Sequence, residues 1–232
     1  MRWVAWAVHL YTAMGLPLAL GAGVALVEGD VRAFFLWLMA AVFVDATDGT
    51  LARRADVKTV LPQFDGRRLD DLVDFITFAF LPALALWRFE IFPPGTEVLC
   101  VMPVLASAYG FCQTKAKTED SFVGFPSYWN ILLLYLVLLG APPWVSLALV
   151  VLCSALVFVP IHFVYPTRAP VLKRLTLTGG YVWAALMVIL TLEMESSWAR
   201  QLAWASLAYP AYYVVLSIMH HTRIHRQSHT HL

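Results

Sequence analysis

The stretch Val31-Arg32-Ala33-Phe34-Phe35-Leu36-Trp37-Leu38-Met39-Ala40-Ala41-Val42-Phe43-Val44-Asp45-Ala46-Thr47-Asp48-Gly49-Thr50-Leu51-Ala52-Arg53 decides the fold. Its length and apolar character suit an α-helix crossing a bilayer, which needs about 20 residues. Yet its last third carries Asp45 and Asp48. A carboxylate at membrane depth is costly, so a chain that keeps one there normally uses it. The pattern continues downstream: Asp45-x-x-Asp48-Gly49-x-x-Ala52-Arg53 is followed by Gly66-x-x-x-Asp70-x-x-x-Asp74. Spacings of three and four put Asp45, Asp48 and Ala52 on one helical face, and Gly66, Asp70 and Asp74 on one face of the next helix. If those helices face each other, four carboxylates converge. A metal site or a proton-handling site is what keeps so much negative charge together.

The rest of the chain agrees with a membrane setting. Of 232 residues, 60% are hydrophobic and 13% are charged, about half the charged fraction of a soluble domain. Apolar runs near 20 residues recur, so the expected fold is all-α: a polytopic membrane helical bundle of about eight transmembrane helices, forming a single domain over residues 1–232. The expected helices are 3–27, 31–53, 69–88, 97–114, 128–141, 143–162, 177–193 and 198–221. Pro, Gly and charged clusters punctuate them, and Pro17 and Pro82 fall inside spans as expected kink points. The first apolar run is read as the first span rather than a cleaved leader. Net charge is +1, which gives no argument for nucleic acid. Cys100, Cys112 and Cys153 lack the spacing of a disulfide or metal framework and read as small buried hydrophobes.

Lys and Arg set the orientation. With eight spans, one side holds 13 of the 16 basic residues, while the other holds Arg32, Arg88 and Arg200. The positive-inside rule then puts both termini and the carboxylates at the cytoplasmic face.

Hard oxygen ligands at this density suit Mg²⁺ or Mn²⁺. Gly49 and Gly66 make room for another backbone or a phosphate-bearing ligand. Arg53 can donate a forked pair of hydrogen bonds to phosphate. Carboxylates, a divalent metal, an Arg and small residues are the equipment of phosphoryl transfer, in which one carboxylate deprotonates an alcohol. Asp71 points off the Asp70–Asp74 face and reads as a helix N-terminal charge.

The pattern resembles the signature of the CDP-alcohol phosphotransferase family, with all eight defined positions present. Twelve residues, 54–65, separate Arg53 from Gly66, where most of the family has eight; that longer gap resembles the bacterial phosphatidylcholine synthase branch. The stretches Trp6 to Ala13, Lys115 to Asn130 and Phe163 to Arg168 resemble that branch too. The resemblance implies phosphatidyl transfer from CDP-diacylglycerol to choline in the bacterial inner membrane, a pair of Mn²⁺ or Mg²⁺ ions, and a homodimer. It implies metal ligation by Asp45, Asp48 and Asp70, with Asp74 as ligand, general base or both. It places Gly49, Ala52, Arg53 and Gly66 at the CDP site. His9-x-x-Thr12 stands where the wider family has Asn-x-x-Thr near the cytidine. Lys115, with Lys117, is a candidate to steer anionic lipid or the diphosphate, or is a topology signal.

Choline offers a cation without a hydrogen-bond donor, so a site selecting it should use aromatic faces. Tyr128 and Trp129 open the fifth expected span beside a Gly-Phe-Pro-Ser turn and are the acceptor candidates; Tyr109, Tyr165 and Tyr181 are reserves. A belt of interfacial aromatics is the alternative for each. The tail histidines His221, His225 and His229 are four apart, either a transition-metal face or a solvated end. Two rival functions remain: the same chemistry on serine, inositol or glycerol phosphate, and a cation transporter. Against a transporter, the carboxylates sit near helix ends and no internal repeat is visible.

Overall fold

A computed structural model describes residues 2–113, 121–165 and 172–230, with side chains of the last segment through Ile224. The chain divides into two compact units, Met1–Cys100 with Trp129–Leu134, and Val101–Tyr128 with Tyr135–Leu232.

In the first unit, α1 (Arg2–Ala13) and α2 (Gly15–Glu28) form one long apolar run interrupted at Met14. Proline explains where it breaks: the Pro17 ring collides with the carbonyl four residues back, that of Ala13. Gly29, in the left-handed conformation at φ 80°, caps α2, and the Asp30 side chain accepts from Ala33 N at 2.8 Å to start α3 (Val31–Arg54). The helix α3 packs along α2, burying Phe34, Phe35 and Leu38.

The segment after α3 is more structured than a loop. A single turn, α4 (Val57–Val60), buries Val57 and Leu61 against Ala5 and Val8 of α1. Phe64 then packs on the rings of Trp6 and His9, at 5.2 and 4.5 Å between centroids. Helix α5 (Gly66–Asp74) begins three residues earlier than the sequence suggested, because Asp65 caps it by accepting from Arg68 N. After Asp74 the helix widens into a π-helical segment, Phe75–Phe80, and returns to α geometry in α6 (Leu81–Arg88). The carbonyl four residues before Pro82 belongs to Phe78, so the wide turns fall where proline disturbs the ladder.

The second unit contains α7 (Val101–Cys112), α9 (Pro143–Leu156), α10 (Lys173–Leu192), α11 (Ala199–Ser206) and α12 (Ala208–Thr230). The helix α8 (Trp129–Leu139) begins among the residues grouped with the first unit. Two short strands were not expected. The strand β1 (Ser121–Val123) pairs antiparallel with β2 (His162–Val164), Phe122 opposite Phe163. The sixth helix accordingly stops at Leu156 instead of 162, since Pro160 removes a donor and biases Val159 to extended geometry. Val164 and Leu216 of α12 form a small core beneath Tyr212.

Among the described residues, four helical runs are long and apolar enough to cross a membrane: Arg2–Glu28, Val31–Arg54, Lys173–Leu192 and Ala199–Ile224. Glu97–Cys112, Trp129–Leu139 and Pro143–Leu156 are shorter apolar helices. The protein is a polytopic helical membrane protein, as expected.

Candidate active site

The carboxylates of Asp45, on α3, and of Asp70 and Asp74, on α5, come together in the first unit. One oxygen from each lies within 4.8 Å of the other two, and all three residues are half-buried. The spacing argument therefore holds for these three. Asp48 is not one of them: it is more deeply placed, at 6% exposure, with the Thr12 side chain as hydrogen-bond partner. Asp71 is also outside the set.

The first helix and the start of the second support this arrangement from one side. Tyr11 Oη and Thr47 Oγ1 are 2.7 Å apart, which fixes α1 to α3 between Asp45 and Asp48. Gly15 sits so close to Val73 that a Cβ there would overlap the valine's Cγ1. Gly66 accepts the His9 ring at similarly close range: a Cβ on it would lie 2.5 Å from Cε1 of His9. His9 is 5% exposed, and its Nε2 is buried without a hydrogen-bond partner among the described residues.

Gly49 makes room for Arg53, whose Nη1 would lie 3.4 Å from a Cβ at that position. Arg53 is exposed and donates from Nη2 to Thr50 Oγ1 at 3.0 Å. Ala52 packs with the Ala5–Val8–Val57–Leu61 cluster, so its small size lets α3 approach α1. Lys115 lies outside the described residues, as do Lys117 and Arg168.

The acceptor candidates differ from each other. Trp129 is a core side chain at 2% exposure. Tyr128 is half-buried, its ring 6.4 Å from those of both Phe122 and Tyr213. Tyr109 packs on Phe158 with the rings tilted by 38°, and Tyr181 is 74% exposed on α10. In the tail, His221 stacks on His162 at 5.7 Å, and α12 continues helically to Thr230; the side chains of His225 and His229 are outside the described set.

Sequence reading missed Tyr11, Gly15 and Thr47 as supports of the site. Their partners are distant in the chain, and no local spacing marks them. The twelve-residue gap was the available hint to α4, since Val57, Val60, Leu61 and Phe64 recur among its charged and polar residues.

The three-carboxylate set fits a hard divalent cation. All its donors are carboxylate oxygens, and three like charges this close need a counter-ion. An apolar, multi-helical chain with acidic donors gathered from two helices defines the class: an integral membrane protein with a candidate divalent-metal centre. No protein-family model matches the chain. Curated proteins do. The chain is 41% identical over 181 residues to the phosphatidylcholine synthase of Pseudomonas aeruginosa, covering 77% of this chain and 76% of that one. It is 40% identical to the phosphatidylcholine synthase of Bradyrhizobium diazoefficiens, covering 84% and 73%. With that of Borreliella burgdorferi the identity is 31%, over 93% of each chain. The chain belongs to the phosphatidylcholine synthase branch of the CDP-alcohol phosphotransferases.

Proposed function

We propose that this protein transfers a phosphatidyl group from CDP-diacylglycerol to choline, giving phosphatidylcholine and CMP. The observation that carries the reading is the convergence of Asp45, Asp70 and Asp74 in a chain of this family. Asp45, Asp48, Asp70 and Asp74 would hold one or two Mn²⁺ or Mg²⁺ ions, which when bound neutralise the diphosphate oxygens. Asp74 accepts the proton of the choline hydroxyl. The choline oxygen forms a bond to the phosphorus bearing the diacylglycerol. The bond from that phosphorus to the CMP oxygen breaks, and CMP leaves with the electron pair. Arg53 steadies the phosphate oxygens. Gly49, Ala52 and Gly66 keep the nucleotide side of the site free of bulk, and His9 and Thr12 face the CDP group. Lys115 steers the anionic lipid.

Of the two acceptor aromatics, Tyr128 is the one this reading keeps, because its ring is partly open while Trp129 fills the core. The reading extends to eight spans forming one catalytic domain, both termini in the cytoplasm, a bacterial inner membrane and a homodimer. An acceptor panel tests the chemistry. Purified protein in mixed micelles with CDP-diacylglycerol should release CMP with choline, and not with serine, inositol or glycerol phosphate. Release with one of those acceptors instead would move the protein to another branch; ion flux without CMP release would make it a transporter.

A further inference from the structure

We propose that a groove along α12, built wholly within the second unit, binds a resident anionic phospholipid of the bilayer, its phosphate on Arg223 and part of one acyl chain below. The groove has a volume of about 90 Å³. Its walls are Leu172 and a stripe of α12 that runs from Tyr212 through Leu216 and Met219 to His220 and Arg223. Steps of three and four keep that stripe on one helical face. From Tyr212 to Arg223 it spans about 16 Å along the axis. The helix changes character partway. Val214 to Met219 holds one polar residue, the buried Ser217, whereas His220-His221-Thr222-Arg223 is wholly polar. The mouth of the groove therefore falls where hydrocarbon gives way to headgroups.

One residue holds both walls. Thr176, fully buried on α10, donates from its backbone N and from Oγ1 to the Leu172 carbonyl, at 2.9 and 3.1 Å. Its Oγ1 also lies 2.9 Å from the Tyr212 hydroxyl, which is then the donor of that pair. The Thr176 carbonyl accepts from Tyr209 at 2.9 Å. The polar end of Tyr212 is thereby satisfied, and its ring is left to the groove. Leu172 is held at φ 57°, a left-handed conformation costly for a bulky side chain, and is 54% exposed. A leucine kept outside the core on strained backbone points to something that covers it. Exposed apolar side chains are ordinary on a membrane helix, so it is the basic end that selects the occupant.

Arg223 is exposed and makes no ion pair among the described residues. Lys173 and Arg174, which follow Leu172 in the chain, are exposed and likewise unpaired among the described residues. Neither α10 nor α12 contains an Asp or Glu. The next acids in the chain, Glu193 and Glu195, lie past the far end of α10, about 30 Å along its axis. Cations with no acid among them attract an anion, and the fork of an Arg matches phosphate oxygens. A basic mouth above an apolar groove suits an anionic phospholipid. A free phosphate has no use for the groove, and the ammonium of a zwitterionic lipid is repelled by the same cations. The proposal stands whether or not the protein uses choline.

Native mass spectrometry of the purified protein in detergent tests this, with dioleoylphosphatidylglycerol and dioleoylphosphatidylcholine titrated separately. Wild type should hold phosphatidylglycerol at least about fivefold more tightly than phosphatidylcholine. Arg223→Gln should weaken phosphatidylglycerol by about 3- to 10-fold and leave phosphatidylcholine nearly unchanged. Met219→Trp, which fills the groove, should weaken phosphatidylglycerol by a similar factor. Lys58→Gln removes an exposed cation of α4 and should change neither lipid. Equal affinity of wild type for the two lipids overturns the proposal. So does a loss in Lys58→Gln as large as that in Arg223→Gln, which would make the binding a diffuse charge effect. Displacement by inorganic phosphate would reduce the site to its cations, and displacement by equimolar CDP-diacylglycerol would give it to the donor lipid; either result overturns the resident lipid. A Met219→Trp protein that changes its oligomeric mass while keeping phosphatidylglycerol would assign the groove to a second copy instead.

Discussion

Asp45 was legible because its chemistry contradicts its surroundings, an apolar helix that does not retain a carboxylate without use; Asp70 and Asp74 were legible from their four-residue spacing on the next, polar helix. Their roles differ, and substitution should separate them. Asp74→Asn should abolish turnover, to below about a thousandth of wild type, because a general base is lost while the shape is kept; CDP-diacylglycerol binding should persist. Near-normal turnover would remove Asp74 as the base. Asp45→Asn should instead raise the metal concentration needed for half-maximal activity, and an unchanged metal titration would take it off the ligand set. His9 is the residue whose surroundings the sequence did not show. Its burial, and an Nε2 without a hydrogen-bond partner among the described residues, emerge only once Phe64 and Gly66 close around it.

At the scale of elements, helix existence was readable and helix ends were not. Apolar periodicity marked the runs, but the extra turn of α5 depends on Asp65 acting as a cap, and the β1–β2 pair is too short to leave a period. The π segment after Asp74 could be suspected only as a proline kink. What holds α5 in place is a close approach that spacing cannot reveal, Gly15 against Val73. Gly15→Ala should push Val73, and with it Asp74, away from the start of α2. We expect a higher metal requirement and at least a several-fold lower kcat/KM. Val73→Ala on top of Gly15→Ala should restore much of both, since it removes the methyl group that the new Cβ meets. A double variant no better than the single would show that the contact does not position Asp74. Gly124→Ala should lower the thermal midpoint in detergent, with about 1–2 kcal/mol from the left-handed backbone alone and more from the Val157 carbonyl, which a Cβ there would overlap.

For the whole molecule, composition and recurring apolar runs carried the membrane assignment, and two of the three basic residues expected on the far side have local contacts. Arg88 donates to Val27 O at 3.4 Å beside the left-handed Gly29, and Arg200 lies against the left-handed Gly140. Each neutralises a helix C-terminus rather than setting topology. Single cysteines placed near either end of a Cys-free variant should react with a membrane-impermeant maleimide only after the cells are opened; labelling of one end in intact cells would break the even span count. The central claim is metal-dependent transfer to choline at the aspartate cluster. Its most direct test is the yield of phosphatidylcholine and CMP from CDP-diacylglycerol and choline, using chelator-stripped protein with Mn²⁺ or Mg²⁺ added back. The account predicts no product without metal, equimolar phosphatidylcholine and CMP once it is restored, and neither product from Asp74→Asn. Full turnover of stripped protein, or of Asp74→Asn, would contradict it.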